Sequence, residues 1–191
     1  MRSLILASTS QYRRALLERL GVPFDVVGPA VEERPVSGEA SAARARRLSL
    51  EKAQAVARHH PEAVVIGSDQ VAASGSRVLD KPGDAESCRA QLGSLSGTVA
   101  NFYTGCAVIV PGSEPAMHLD RTSVHFRVLS PAEIERYVER EKPFDCAGGF
   151  KAESLGVTLF DHINGVDPTA LVGLPLIWLA GALRAAGFRL P

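Results

Sequence analysis

The chain has 191 residues, 46% of them apolar, with 21 basic and 21 acidic side chains and no formal net charge. This is the composition of a globular protein large enough for one sizeable core in a single domain over 1–191, and the balanced charge argues against a broad nucleic-acid-binding face, which needs a strongly basic surface. Cys88, Cys106 and Cys146 lack metal-ligand spacing and read as free thiols of a reducing compartment. No apolar run reaches the roughly 18 residues of a membrane span, and the N-terminal one is too short for a signal peptide, so the cytoplasm is the expected location and no membrane is involved.

In chain order, residues 4–7 read as a short buried strand, followed at once by Ser8, Thr9 and Ser10. A helix then opens with Leu16, Leu17 and Leu20 on one face and Gly21 at its end. A strand that runs through hydroxyl side chains into a helix start is suited to anions, because the first helical turn has unpaired N–H groups and the positive end of the macrodipole. Ser10 can cap that helix, and Arg13 and Arg14 add two cations whose planar forks suit phosphate. Residues 24–27 form a second strand, 28–38 a loop carrying Glu32 and Glu33, and 40–58 an Ala- and Arg-rich helix that contains Lys52.

Residues 63–67 are an apolar strand ending in Ser68-Asp69-Gln70, which places Asp69 at a strand end, where α/β sheets usually hold ligands. A hairpin of 71–73 and 77–79 follows, then a loop with Lys81, a helix over 85–95, and two long strands over 98–110 and 118–129. Ser130, Pro131 and Glu133 announce a helix over 131–140 through a capping box. After Gly148-Gly149, Lys151 and Glu153 fall on one side if the segment is extended, a plausible ligand rim. Residues 152–175 are loop with brief strands, and 176–186 close the chain as an apolar helix. The expected fold is α/β, a mixed, extended central sheet flanked by helices.

Taken together, these stretches resemble the Maf proteins, which hydrolyse nucleoside triphosphates to monophosphates and pyrophosphate. The resemblance runs through Leu4 to Leu17 (LILASTSQYRRALL), Glu32-Glu33, Glu51-Lys52-Ala53, Gly67-Ser68-Asp69-Gln70-Val71, Lys81-Pro82 and Phe102-Tyr103-Thr104-Gly105. It continues through Cys146 to Glu153 (CAGGFKAE) and Asp167 to Leu176 (DPTALVGLPL), so it covers nearly the whole chain. Within the family it is nearest the YceF branch, associated with 7-methyl-GTP, through Ser8-Thr9-Ser10 with the aromatic Tyr12, Gln70 after Asp69, and Phe150-Lys151 with Glu153. Gly149 and Ala152 stand where that branch more often has Ser.

The resemblance implies two lobes with a nucleotide-binding cleft and attack of water between the α- and β-phosphates. It implies that Arg13, Lys52, Lys81, Lys151, Arg14 and the Ser8 and Ser10 hydroxyls meet the triphosphate. It implies a divalent cation, Mg²⁺ or Mn²⁺, held by Glu33 and Asp69, and Asp69 as the base that takes the proton of water. Base recognition then falls to Tyr12, Gln70 and Glu153. A 7-methylguanine ring is cationic, and an aromatic face favours a cation by roughly 0.5–2 kcal/mol. The expected partner is a nucleoside triphosphate, not a nucleic-acid polymer, and a homodimer is compatible with the chain. The alternatives are a dTTP/UTP or other modified-nucleotide pyrophosphatase, and a nucleotide-binding regulator of cell division.

Overall fold

The computed structural model describes residues 2–191, which form β1 (Leu4–Ala7), α1 (Gln11–Glu18), β2 (Asp25–Val27), α2 (Ser41–Ala57), β3 (Val64–Ser74), β4 (Arg77–Leu79), α3 (Ala85–Leu95), β5 (Val99–Ile109), β6 (Ala116–Phe126), α4 (Pro131–Glu141), β7 (Phe160–Asn164) and α5 (Leu176–Ala185). Among the described residues the strands make one seven-stranded sheet in the order β2-β1-β3-β5-β6-β7, with β4 paired to β3. β1 runs parallel to β2 and β3, whereas β4 is antiparallel to β3 and β7 to β6, so the sheet is mixed, as expected. The chain divides into two compact units, Met1–Gln70 with Tyr103–Asp120 and Asp167–Pro191, and Val71–Phe102 with Arg121–Val166.

In the first unit the two-residue period of a strand sorts the core onto two faces. Leu4 and Leu6 of β1 join Val64 and Ile66 of β3 and Leu16, Leu17, Leu179 and Leu183 of α1 and α5. Ile5, Ala7 and Val65 pack with Ala53 and Val56 of α2 on the other face. A strand buried on both faces reads as a continuous apolar run, which is why 4–7 and 63–67 were legible as strands. The second unit holds the hairpin partner β4, α3, α4 and β7, and an edge-to-face aromatic group of Phe102, Phe126, Phe150 and Phe160. The capping box of α4 is present, with Ser130 and Glu133 each bonding the other's backbone.

Three expectations need correction. The strand containing 63–67 does not end there: β3 continues to Ser74, so Ser68, Asp69 and Gln70 lie inside a strand and not at its end. Polar side chains are tolerated in that position because each has a partner, described below. The strand expected over 118–129 runs from Ala116 to Phe126; beyond it Arg127 and Leu129 bond to Gly97 and Ser96 at the exit of α3. The segment after Gly148-Gly149 is a turn, not extended chain, closed by Ser154 N–H and Gly156 N–H donating to Lys151 O. A Cβ at Gly156 would sit 2.2 Å from that same oxygen, so glycine is required there.

Candidate active site

The centre of the first unit is set by how closely α2 lies on the sheet. A Cβ at Gly67 of β3 would come within 2.3 Å of Ser49 O and 2.6 Å of Ala53 N, and one at Gly105 of β5 within 2.3 Å of Ala45 O. Two strand glycines therefore admit the helix backbone against the sheet. Lys52 shares the sheet-facing side of α2 with Ser49 and Ala53, and Asp69 follows Gly67 by two residues and so faces the same way. The result is a buried ion pair, Lys52 Nζ to Asp69 Oδ1 at 2.5 Å. Glu33, from the loop before α2, reaches the same ammonium through Oε1 at 2.6 Å, while its neighbour Glu32 is taken up by Arg34 at 2.7 Å.

Burial pushes the Asp69 carboxyl above its ordinary value, opposed by the Lys52 ammonium and more weakly by Arg13. A carboxylate that holds a proton more readily than usual, beside two cations, is suited to accept one from water.

The hydroxyl-rich opening folds as its sequence suggests. Ser8 is buried, and its Oγ accepts from Ser10 N–H at 3.1 Å. Ser10 is the N-cap of α1, its Oγ accepting from Arg13 N–H at 3.4 Å. Tyr12 is partly exposed on the first turn. Arg13 turns inward: its Nε donates to Gly173 O at 3.1 Å, and burial lowers its pKa against the opposing pull of Asp69, Cys106 and Glu33. Arg14 remains on the surface, paired with Glu18 at 3.0 Å. The structure thus brings Arg13, Lys52, Asp69 and Glu33 into one electrostatic cluster and leaves Arg14 out of it.

The support beneath this cluster was not assigned from the sequence. Gly173 O also lies 2.8 Å from Ser68 Oγ, which is equally close to Gly105 O. The amide nitrogen of Gln70 donates toward Thr104 Oγ1 at 2.9 Å and to Ala170 O and Leu171 O at 3.0 Å, and Thr104 Oγ1 donates to Ala170 O at 2.8 Å. The buried Asp167 organises the loop that presents these carbonyls, accepting from Thr169 N–H, Thr169 Oγ1 and Ile177 N–H at 2.8, 2.6 and 2.7 Å. The Asp-Pro-Thr turn signal at 167–169 marked the loop, but not its use.

In the second unit Lys81 and Glu153 are exposed. Lys151 Nζ donates to Glu141 O at 3.3 Å and lies 3.6 Å from the Glu141 carboxylate, so its cation is held at the C-terminal end of α4. Its backbone N–H donates to the Tyr137 hydroxyl at 3.1 Å.

Among the described residues no group of three or more His, Cys, Asp and Glu side chains converges as a metal site. Glu33 and Asp69 meet on the Lys52 ammonium, at 2.6 and 2.5 Å, so a cation would take up these two carboxylates in place of that contact. Two hard carboxylates with no softer donor fit Mg²⁺ or Mn²⁺, which take one or two protein carboxylates and complete their shells with water and phosphate.

Comparison with known proteins returns a match to the Maf-like protein family model over residues 3–186. A "7-methyl-GTP pyrophosphatase" of Xanthomonas oryzae pv. oryzae is 56% identical over 192 residues, covering 100% of both chains. Proteins with the same name in Xanthomonas campestris pv. campestris and Aromatoleum aromaticum are 54% identical over 100% of both chains and 50% identical over 98% of this chain and 97% of theirs. Among solved structures, a HAM1 protein from Coxiella burnetii is similar at a TM-score of 0.49 with 13% identity, covering 97% of this chain and 100% of that one.

Proposed function

The chain belongs to the Maf family, and from that premise we propose that it hydrolyses 7-methyl-GTP to 7-methyl-GMP and pyrophosphate in the cytoplasm. The relatives' printed name supports the substrate, and no helix among the described residues is long and apolar enough to cross a membrane. The observation that carries the reading is the Lys52 ammonium shared by Asp69 and Glu33 at 2.5 and 2.6 Å, in a cluster with Arg13. A pure nucleotide sensor needs cations for phosphate; it does not need a buried carboxylate with a raised pKa beside them.

In this reading Asp69 takes the proton of the attacking water, and the raised pKa suits it to hold that proton. Arg13 and Lys52 meet the charge that develops on the phosphates, aided by the Ser8 and Ser10 hydroxyls and the N-terminal N–H groups of α1. Arg14 and Lys151 are engaged by Glu18 and Glu141 and, like the exposed Lys81, carry no phosphate contact in this reading. A divalent cation held by Glu33 and Asp69 would, when bound, draw charge from the phosphate oxygens. Tyr12 stacks on the base and Glu153 favours its cationic form. Gln70 contributes through its amide oxygen, since its nitrogen is committed to the 170–171 carbonyls.

The test is pyrophosphate release from 7-methyl-GTP, GTP, dTTP and UTP, with and without chelator. The expected result is the highest kcat/KM on 7-methyl-GTP. A preference for dTTP or UTP would overturn the substrate, and no pyrophosphate from any of them would overturn the activity.

A further inference from the structure

α4 is written PAEIERYVERE, with two arginines, Arg136 and Arg140, among four glutamates. Three of the four carboxylates are engaged, and the fourth, Glu139, is exposed. Glu133 is bonded by Ser130 and by Arg127 at 2.8 Å, Glu135 by Arg89 at 3.1 Å, and Glu141 by Lys151 and by Leu155 N–H at 2.9 Å. Arg136 and Arg140, one helical turn apart, have no ion-pair partner among the described residues. Both line an open cavity of about 180 Å³, together with Arg127.

The cavity floor is the Tyr137 ring with Leu155 and Leu159, and Arg127 is fixed in place by its Nε donating to Thr158 O at 2.7 Å. Three guanidinium groups around one carboxylate, which is itself bonded, leave the cavity positively charged. Nothing in the proposed chemistry uses these residues.

We propose that this cavity in the second unit is an anion site that takes a phosphoryl group, with Arg136 and Arg140 as its binding cations and Arg127 as its fixed wall. Guanidinium pairs match phosphate oxygens bidentately, which a single lysine cannot do. At about 180 Å³ the cavity is smaller than a typical small-molecule pocket yet roomier than one inorganic phosphate needs, so the ligand is pyrophosphate or the phosphoryl end of a nucleotide whose body lies outside it. The inference stands whether or not 7-methyl-GTP is the substrate.

The experiment is calorimetric titration of the full chain, in chelator and at fixed low salt, with inorganic pyrophosphate in one arm and GMP in the other. It compares wild type, Arg136→Ala/Arg140→Ala and a control pair, Arg58→Ala/Arg189→Ala, which removes the same charge from exposed positions elsewhere. Each is repeated in an Arg13→Ala background, where binding at the first-unit cluster is weakened. The expected result is binding at least about tenfold weaker in Arg136→Ala/Arg140→Ala than in the control pair, in both backgrounds, because two charge-assisted contacts are lost. Tighter binding of GMP than of pyrophosphate identifies a nucleotide as the ligand, and the reverse identifies the free anion. Equal affinity in wild type and Arg136→Ala/Arg140→Ala, an equal loss in the control pair, or no binding that survives Arg13→Ala would overturn the proposal. A failure of the Asp69 and Lys52 assignments would instead show in pyrophosphate release, where Arg136→Ala/Arg140→Ala is expected to keep the wild-type kcat.

Discussion

Asp69 is buried with Lys52 as its ion-pair partner, so removing Lys52 strands the carboxylate charge, whereas Lys52 keeps Glu33 at 2.6 Å when Asp69 is neutralised. Lys52→Met is expected to cost about 3–5 kcal/mol of stability, and Lys52→Met with Asp69→Asn to recover most of it, because the double variant has no unpaired charge. Urea denaturation of the four proteins of that cycle checks the claim; an additive cycle would end it. Asp69→Asn alone should keep the fold and lower kcat by roughly 10²–10⁴, the range a general base contributes, read by pyrophosphate release. Glu133 sets a pH dependence of its own. Its carboxylate accepts from Ser130 and pairs with Arg127, which holds its pKa down at about 2. A folded-state pKa below the unfolded one means stability that is fully present above the usual carboxylate range and lost as pH falls toward 2. The Tm difference between wild type and Glu133→Ala should therefore be largest at neutral pH and shrink through acid. Ser10, Arg13 and the α4 capping box were legible in the sequence because their bonds span a few residues. Gly173 and Thr104 were not, because Arg13 meets Gly173 across 160 positions and Thr104 meets Ala170 across 66.

The approach of α2 to β3 and β5 is what turns two distant charges into a pair. Gly67→Ala would place a methyl group 2.3 Å from a helix carbonyl, and backbone on both sides leaves no flexible side chain to yield. The expected cost is about 3 kcal/mol, the upper end of ordinary overpacking. Any folded fraction should have reduced kcat, since α2 must lift and carry Lys52 from Asp69; urea melts and pyrophosphate release read the two effects separately. Helix and strand existence was legible throughout, because buried strands read as apolar runs and α1 and α4 have caps. β3 was the exception. Its polar middle looked like a strand end, since Ser68, Asp69 and Gln70 violate the apolar pattern, and the partners that satisfy them come from α2, β5 and the 167–175 loop. The turn at 152–154 was missed for a similar reason: what curls it is Lys151 O accepting two N–H groups at a glycine, not a local turn signal.

Across the whole molecule, turnover should vanish in excess chelator and return with Mg²⁺ or Mn²⁺, measured as pyrophosphate release before and after metal addition. Activity that survives exhaustive chelation would remove the roles given to Glu33 and Asp69 as ligands. The thiols should be unequal: Cys88 and Cys106 are buried, with burial raising their pKa values to about 11 and about 12, so alkylation of the native protein should mark Cys146 first. Equal labelling in the native state would contradict the packing of α3 and β5. The first compact unit is assembled from three separate stretches, the last being Asp167–Pro191. That stretch supplies Leu179 and Leu183 to the same core as Leu4 and Leu6, and the carbonyl that holds Arg13. On a ribosome adding about 5–20 residues per second, β1 meets β2, α2 and β3 soon after it emerges, but the α5 side chains that cover Leu4 and Leu6 are made more than 150 residues later. The face of β1 that carries Leu4 and Leu6 therefore stays uncovered until α5 is made, which is the interval in which shielding by a chaperone matters for this chain.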